Sequence, residues 1–318
     1  FSLPGGEFKG DDIPRIERVW GFELPRWQGD IVGVSLENAK LPDDHERRLR
    51  VFYTSGGNFL ETMPEPDFIR TCLESVELRV HQDIMLNTST LVDASETVIV
   101  LPAMTRYEQP GGGTSTSTER MVYFSPEIPG PRMPEARAEW DIYTELAARI
   151  KPDQQHLIRF RDAEHVRRDI AAAAPNYDGI QHLRAGGDVF QWGNAWLCEG
   201  GVCPTSDGRG RLICVEVPEL RKAEGRFYAT TRRGKQFNSM IYGEKDPFNN
   251  ADRYDVLLHP KDAEALGLAE GEAIVVYNRF GTFHGRAKRE NVAPGNVQLY
   301  WPESNALFPK GVYEPHAG

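Results

Sequence analysis

LRVFYTSGGN, Leu49 to Asn58, decides the fold. Its first six residues are apolar or β-favouring, apart from Arg50, and the run stops at a Ser-Gly-Gly-Asn punctuation. A strand ending in a turn is the direct reading. Downstream, a helix is expected from about Pro66 to Val76, with Phe68, Ile69, Cys72, Leu73 and Val76 on one face. A short strand, Leu78 to His81, the loop Gln82–Asp83 and a helix-like stretch to Ala94 follow. TVIVL, Thr97 to Leu101, is a third strand closed by Pro102. Strand, helix, strand, helix, strand with continuous apolar strands predicts a parallel α/β sheet buried on both faces. An acid at Val100 should then abolish folding.

Ligands of such sheets sit beyond the carboxyl ends of the strands. Three strand ends here carry polar or small residues: Gly56-Gly57-Asn58, Gln82-Asp83 and Pro102-Ala103. The glycines let a ligand approach the backbone, or simply form a tight turn. The first turn is not a GxGxxG, so an ordinary nicotinamide site is not supported.

Working outward, residues 1–48 are polar and loop-rich, with one short helix from Ile13 to Trp20. QPGGGTSTSTE, Gln109 to Glu119, is either a connector or a polar lining. Glu139 to Arg149 is an amphipathic helix, with Trp140, Tyr143, Leu146 and Ala147 on one face. Glu139 in its first turn is a favourable charge near the helix N-terminus. His165 to Ala173 is expected to be helical, and Pro175 to Cys203 irregular. His156, His165 and His182 read as ordinary surface histidines, and no catalytic Ser/His/Asp or Cys/His spacing is visible.

From Gly225 the pattern is β-rich: Phe227–Thr231, Val256–Leu258, Ala273–Asn278, Phe283–Arg289 and Val297–Trp301. A short helix, Pro260 to Leu266, interrupts them, and NRFGT, Asn278 to Thr282, is a hairpin turn. These strands suggest a small closed barrel. The block opens with YATTRRGKQFNS, Tyr228 to Ser239, a concentrated set of hydrogen-bond donors. Arg232 and Arg233 suit a phosphate or a carbonyl edge, and Gln236 and Asn238 suit a heterocycle. A solvated turn is the alternative.

Bulk properties set limits. The chain has 318 residues, enough for two domains, with 40% hydrophobic and 26% charged residues, as in an ordinary globular protein. Its net charge of −10 argues against a nonspecific nucleic-acid binder. No run approaches the roughly 18 apolar residues of a membrane span. The sequence has no initiator Met, no signal peptide at its start, and stops at EPHAG, so both ends read as cut. Cys72, Cys198, Cys203 and Cys214 form no CxxC pair and have no His at metal-site spacing. Cys198 and Cys203 would pair in an oxidising compartment; free thiols in a cytosolic protein are expected instead.

Two colinear blocks carry a family resemblance. HPKDAEALGLAEGEAIVVYNRFGTFHGRA and then VAPGNVQLYWPESNAL resemble the C-terminal dinucleotide-binding domain of molybdopterin oxidoreductases, the dimethyl sulfoxide reductase superfamily. VHQDIMLNTSTLVDASETVIVLPAMTRYEQPGGGTSTSTERMV and then AEWDIYTELAARI resemble the Rossmann-like domain of the same enzymes. The match covers about residues 45–150 and 205–318 and is closest to formate dehydrogenase-like alpha subunits.

The resemblance implies a Rossmann-like α/β domain over 49–150, after a loop-rich lead-in over 1–48. A connecting segment, 151–217, and a double-psi β-barrel domain, 218–318, would follow. It implies two molybdopterin guanine dinucleotides with molybdenum or tungsten. Asn58 and Thr62 match dinucleotide contacts, although many relatives carry an acid at the position of Asn58. Gln82 and Asp83 match a QD pair beside the guanosine, and Glu139 an acceptor for the guanine edge. Arg232, Gln236, Asn238 and Ser239 match the pterin- and phosphate-binding loop, where relatives often have His-Tyr-Asn in place of Gln236-Phe237-Asn238. Trp301 and Asn305 match a strand and turn that close over a pterin.

In the family the catalytic residues, the metal ligand and the 4Fe-4S cysteines precede the part matched here, so no residue of this chain is assigned a catalytic or metal-ligating role. Relatives also continue past the VYEPHAG region. The implied activity is two-electron oxidation of a small-molecule substrate such as formate, with a possible electron-transfer subunit as partner, in the cytoplasm. A non-catalytic nucleotide-binding or assembly module that kept the fold is the alternative.

Overall fold

The computed structural model describes residues 12–24, 32–117, 119–157, 159–192, 196, 198–203, 205–216, 225–235 and 239–311. In chain order these carry α1 (Asp12–Trp20), α2 (Val32–Glu37), β1 (Val51–Ser55), α3 (Phe59–Thr62), α4 (Pro66–Ser75), β2 (Leu78–Asp83) and β3 (Thr97–Pro102). Next come β4 (Gly113–Thr116), β5 (Met121–Ser125), α5 (Glu139–Ile150), α6 (Ala163–Ala173) and β6 (Val189–Gln191). The last block holds β7 (Tyr228–Arg233), β8 (Asp255–Leu258), α7 (Pro260–Ala265), β9 (Ala273–Tyr277), β10 (Thr282–Arg289) and β11 (Asn296–Trp301). The fold is mixed α/β. Two compact units arise, each discontinuous in sequence: the described parts of 1–28 and 102–216 form one, and those of 29–101 and 217–318 the other.

In the second unit β1 and β2 are parallel, in register from Val51↔Leu78 to Ser55↔Gln82, and β3 completes the order β1-β2-β3. Helix α4 starts with proline, whose missing N–H costs nothing there. It buries Ile69, Cys72 and Leu73 against Phe52, Leu60 and Val92. This cluster draws no residue from β3. Ile99 and Val100 are accordingly 40% and 42% exposed, so the expected burial of that strand on both faces does not hold. The expectation that an acid at Val100 abolishes folding falls with it.

The later strands of the same unit form a five-stranded sheet in the order β7-β11-β8-β10-β9. Its neighbours alternate: β7 and β11 are parallel, β11 and β8 antiparallel, β8 and β10 parallel, β10 and β9 antiparallel. Val256, Leu258, Phe283, Ala287, Val297 and Leu299 form its core. The two edge strands line one cavity of about 1080 Å³, with Tyr228 and Ala229 from β7 and Ile274 and Val276 from β9. The sheet is therefore curled, bringing its edges toward a common space. At the β9–β10 turn a β-carbon on Gly281 would fall 1.9 Å from the Ala306 carbonyl oxygen, so only glycine fits.

In the first unit β4, β5 and β6 form an antiparallel sheet over Val122, Phe124, Tyr177, Ile180 and Leu183. Of these, β4 falls in the stretch read as a connector or polar lining and β6 in the stretch expected to be irregular. Helix α5 also turns differently from expectation. It buries Ile142, one turn from the buried Ala138, while Tyr143 and Leu146 are exposed. Arg137 pairs with Asp141 and Glu145, and Arg149 with Glu145, which sets the polar side. Cys198 and Cys203, expected as free thiols, form a disulfide. Gly200 and Gly201, at φ +62° and +80°, reverse the chain between them and bring their Cα atoms to 4.3 Å. Among the described residues no helix is long and apolar enough to cross a membrane.

Candidate functional site

The carboxyl ends of β1 and β2 lie side by side. Gly56 N–H donates to the Gln82 carbonyl at 2.8 Å, closing the turn after β1. Gly56 and Gly57 take φ of +71° and +96°, and a β-carbon on Gly56 would meet nothing within 4 Å. Gln82 and Asp83 end β2 rather than forming a loop. Gln82 is fully buried; its Oε1 accepts from Tyr53 Oη and its Nε2 donates to Ser55 Oγ at 3.3 Å. Asp83 Oδ1 accepts from Ile84 N at 2.7 Å, and Oδ2 from Asn87 Nδ2 at 3.2 Å. The helix-like stretch after it is a 3-10 turn, Thr88–Leu91, capped by Asn87. Asn87 Oδ1 accepts from Ser89 N and Thr90 N, while Thr90 Oγ1 accepts from Asn87 N.

This capped turn holds Asn58. Asn58 is 1% exposed, and its Oδ1 accepts from Thr88 Oγ1, Ser89 N and Ser89 Oγ at 3.0, 3.2 and 2.8 Å. Its Nδ2 donates to the Ser239 carbonyl at 3.0 Å, 181 positions along the chain. Asn305 makes a second long-range link, Nδ2 donating to the Glu61 carbonyl. The end of β1, the Ser239 segment and the turn after β11 are thus knit together.

A charged cluster lies beside these links. Arg253 Nη1 is 2.7 Å from Glu303 Oε1, its Nη2 donates to the Ile241 carbonyl at 3.2 Å, and its guanidinium sits 4.9 Å from the Tyr242 ring centroid. Tyr242 Oη donates to the Ser239 carbonyl at 3.0 Å, and Thr88 Oγ1, whose single proton serves either Asn58 Oδ1 or Glu61 Oε1, lies 2.7 Å from Glu61 Oε1. Burial pushes the Glu303 carboxyl above its ordinary range, and the Glu61 charge adds to this against the pull of Arg253. Burial, with the same Glu61 charge, also raises Tyr242. Glu61, Thr88, Tyr242, Arg253, Glu303 and Asn305 line a cleft of about 820 Å³.

Two adjacent arginines on β7 have different surroundings. Arg232 faces inward: Nη2 lies 3.5 Å from Oδ2 of the fully buried Asp246, Nη1 donates to Gln298 Oε1 at 3.3 Å, and the guanidinium lies 5.4 Å from the Tyr300 ring centroid. Arg233 is exposed, stacked 4.6 Å from the Trp301 ring centroid, with no acidic partner among the described residues. Lys235 is likewise exposed, with Nζ 5.5 Å from the Phe248 ring centroid. Trp301, half-buried, ends β11 and precedes a cis Pro302.

Asn58, Thr62, Gln82, Asp83, Arg232, Ser239, Trp301 and Asn305 therefore share one compact unit. Thr62 is half-buried at the end of α3. Gln236 and Asn238 lie outside the described residues. Glu139 opens α5 in the other unit and is half-buried. Sequence reasoning missed Asn87, Tyr242, Arg253 and Glu303. Only Asn87 carried a local signal, the Asn-x-x-Thr spacing of its cap. Among the described residues, no group of three or more His, Cys, Asp or Glu side chains could hold a metal ion.

The donor set fits a phosphorylated dinucleotide. Two exposed cations follow one another at the end of β7, and open space adjoins Gly56. Residues 227–317 match the family described as Molydopterin dinucleotide binding domain. The resemblance to molybdopterin oxidoreductases of the dimethyl sulfoxide reductase type is borne out by the relatives. The F420-dependent formate dehydrogenase 1 subunit alpha of Methanococcus maripaludis is 27% identical over 266 residues, covering 79% of this chain and 38% of that protein. The F420-dependent formate dehydrogenase subunit alpha of Methanocaldococcus jannaschii is 25% identical over 317 residues, covering 93% of this chain and 44% of that protein. The chain thus spans less than half the length of these relatives. The acetylene hydratase from Pelobacter acetylenicus shares the fold, with a TM-score of 0.59 and 18% identity over 91% of this chain and 42% of that one.

Proposed function

We propose that this chain is the dinucleotide-holding part of a molybdopterin-dependent oxidoreductase similar to formate dehydrogenase alpha subunits. It would hold two molybdopterin guanine dinucleotides and serve two-electron oxidation of a small substrate such as formate. The observation that carries the reading is the knitting of the β1 and β2 ends to the Ser239 segment and the Asn305 turn. That junction lies within and beside the matched residues 227–317. The curled sheet is read as a double-psi barrel, and β1-β2-β3 with α4 as the Rossmann-like part.

When bound, the metal centre supplies the two-electron chemistry. This chain's residues bind and orient. Arg233 and Lys235 offer uncommitted charge to a pyrophosphate. By the resemblance, Trp301 and Asn305 would close over a pterin, and Arg232, Gln236, Asn238 and Ser239 would supply donors to pterin and phosphate. On the same basis, Thr62 would contact a dinucleotide, Gln82 and Asp83 would belong beside the guanosine, and Glu139 would accept from a guanine edge.

Elemental analysis and pterin fluorescence on the full-length protein test the reading; about one metal and two pterins per chain are expected, with formate-dependent reduction of an acceptor dye. A folded protein with neither cofactor overturns it. The arginines give a sharper test. Arg233→Ala should lower pterin content at unchanged unfolding midpoint. Arg232→Ala should lower both, because it takes the guanidinium from the buried Asp246 carboxylate and leaves it Phe248 N and Tyr300 Oη, a loss of about 2 kcal/mol for one charged contact. Equal effects of the two on stability would sink this division of roles.

Glu139→Ala should also lower pterin content, through loss of the guanine acceptor. The helix-terminus charge it removes is worth only about 0.5 kcal/mol to folding. Pterin content equal to wild type would return Glu139 to a plain helix-end charge.

A further inference from the structure

Asn58 occupies a position where the family resemblance suggests a ligand contact, yet its amide is spent on protein atoms. Its Oδ1 already accepts from Thr88 Oγ1, Ser89 N and Ser89 Oγ, and its Nδ2 reaches the Ser239 carbonyl at 3.0 Å. At 1% exposure it presents almost no surface to any ligand. The opposite ends of the amide therefore join two things. One is the capped turn after β2, which Arg79 also grips through the Ser89 and Val92 carbonyls. The other is Ser239, which follows the donor-rich stretch at Gln236 and Asn238.

We propose that Asn58 is a positioning residue that staples the Ser239 carbonyl to the end of β1 and so holds Ser239 in place for the dinucleotide. The staple needs an acceptor and a donor on one short side chain. Asn is the residue that supplies both at this length. A carboxylate would keep the links to Thr88 and Ser89 but would set an oxygen against the Ser239 carbonyl with no proton between them. Asp is nearly isosteric with Asn, so Asn58→Asp separates the staple from a ligand contact. An acid that served the ligand would be tolerated, whereas a broken staple loosens Ser239. The staple stands on the hydrogen bonds alone; its benefit to the cofactor rests on the proposed function.

The experiment compares full-length wild type and Asn58→Asp by backbone hydrogen exchange over Ser239–Tyr242 and by pterin content per folded chain. Exchange in that segment should rise about tenfold, as for loss of one buried hydrogen bond, and pterin content should fall severalfold. Pterin retained at the wild-type level overturns the positioning role. A fall in pterin with unchanged exchange overturns the staple in favour of direct ligand contact. Faster exchange in a variant whose wild type also lacks pterin upholds the staple and rejects the cofactor reading. If Asn58→Asp does not fold, Ser89→Ala removes one donor to Asn58 Oδ1, the hydroxyl, and leaves the Ser89 N–H link in place. It should raise exchange in the same segment by a smaller factor, and unchanged exchange there overturns the staple.

Discussion

Replacing Arg253 by Met is expected to cost about 3–5 kcal/mol, the range for removing one partner of a buried ion pair. Arg253 and Glu303 have side chains only 16% and 8% exposed, and they meet at 2.7 Å. Without the guanidinium, a carboxyl already pushed up by burial must either ionise in an apolar surrounding or take a proton. The sign with pH follows. A carboxyl whose folded pKa lies above its unfolded one contributes stability below the unfolded value, and loses that contribution as pH rises through the folded value. The variant's deficit should therefore be largest near neutrality and shrink toward pH 4.5. The double variant Arg253→Met, Glu303→Gln should recover much of the loss. Urea denaturation of the three variants at two pH values measures this. A deficit independent of pH and not relieved by Glu303→Gln would mean that Arg253 acts by packing on Tyr242 rather than through the ion pair.

Acidification should destabilise the protein through His81 by about 3 kcal/mol. His81 is 1% exposed on β2, with Nδ1 3.3 Å from Thr54 Oγ1 and Nε2 without a partner among the described residues. Burial, and then the charge of Arg79, lower its pKa from 6.5 to about 4. The unfolded imidazole takes a proton near pH 6.5 and the folded one not until about 4, so the unfolded state binds more protons in between. Stability present above pH 6.5 is lost as pH falls toward 4. Denaturant titrations at pH 7 and pH 4 should show this, and His81→Gln should flatten the difference by the same amount. If wild type and His81→Gln lose stability in parallel, the acid sensitivity belongs to other groups.

Much of the architecture is written locally. Apolar, β-branched runs such as TVIVL and AIVVY find strands because branched side chains favour the extended backbone, even where, as here, none of them is fully buried. The five late strands and the helix at Pro260 all fall within a residue or two of where the sequence puts them. GTST, β4, was missed because small hydroxyl residues carry no alternation, and its strand state comes from pairing with MVYFS. The buried face of α5 was misread because the apolar residues circle the helix. The ion pairs from Arg137 and Arg149 to Asp141 and Glu145 then decide which side faces water.

By itself, then, the sequence determined the order and type of most elements, the placing of glycines at the end of β1, and the family resemblance. Those depend on near neighbours along the chain. Tertiary structure alone decided that Asn58 meets Ser239, that Asn305 meets Glu61, and that Arg253 meets Glu303. It also separated Arg232, committed to Asp246, from Arg233, which faces solvent. Hydrogen bonds and ion pairs between residues far apart in sequence leave no periodic trace, because each needs only one partner delivered by the fold. Which polar side chains hold the loop and which remain open to a ligand is therefore a property of the packed chain.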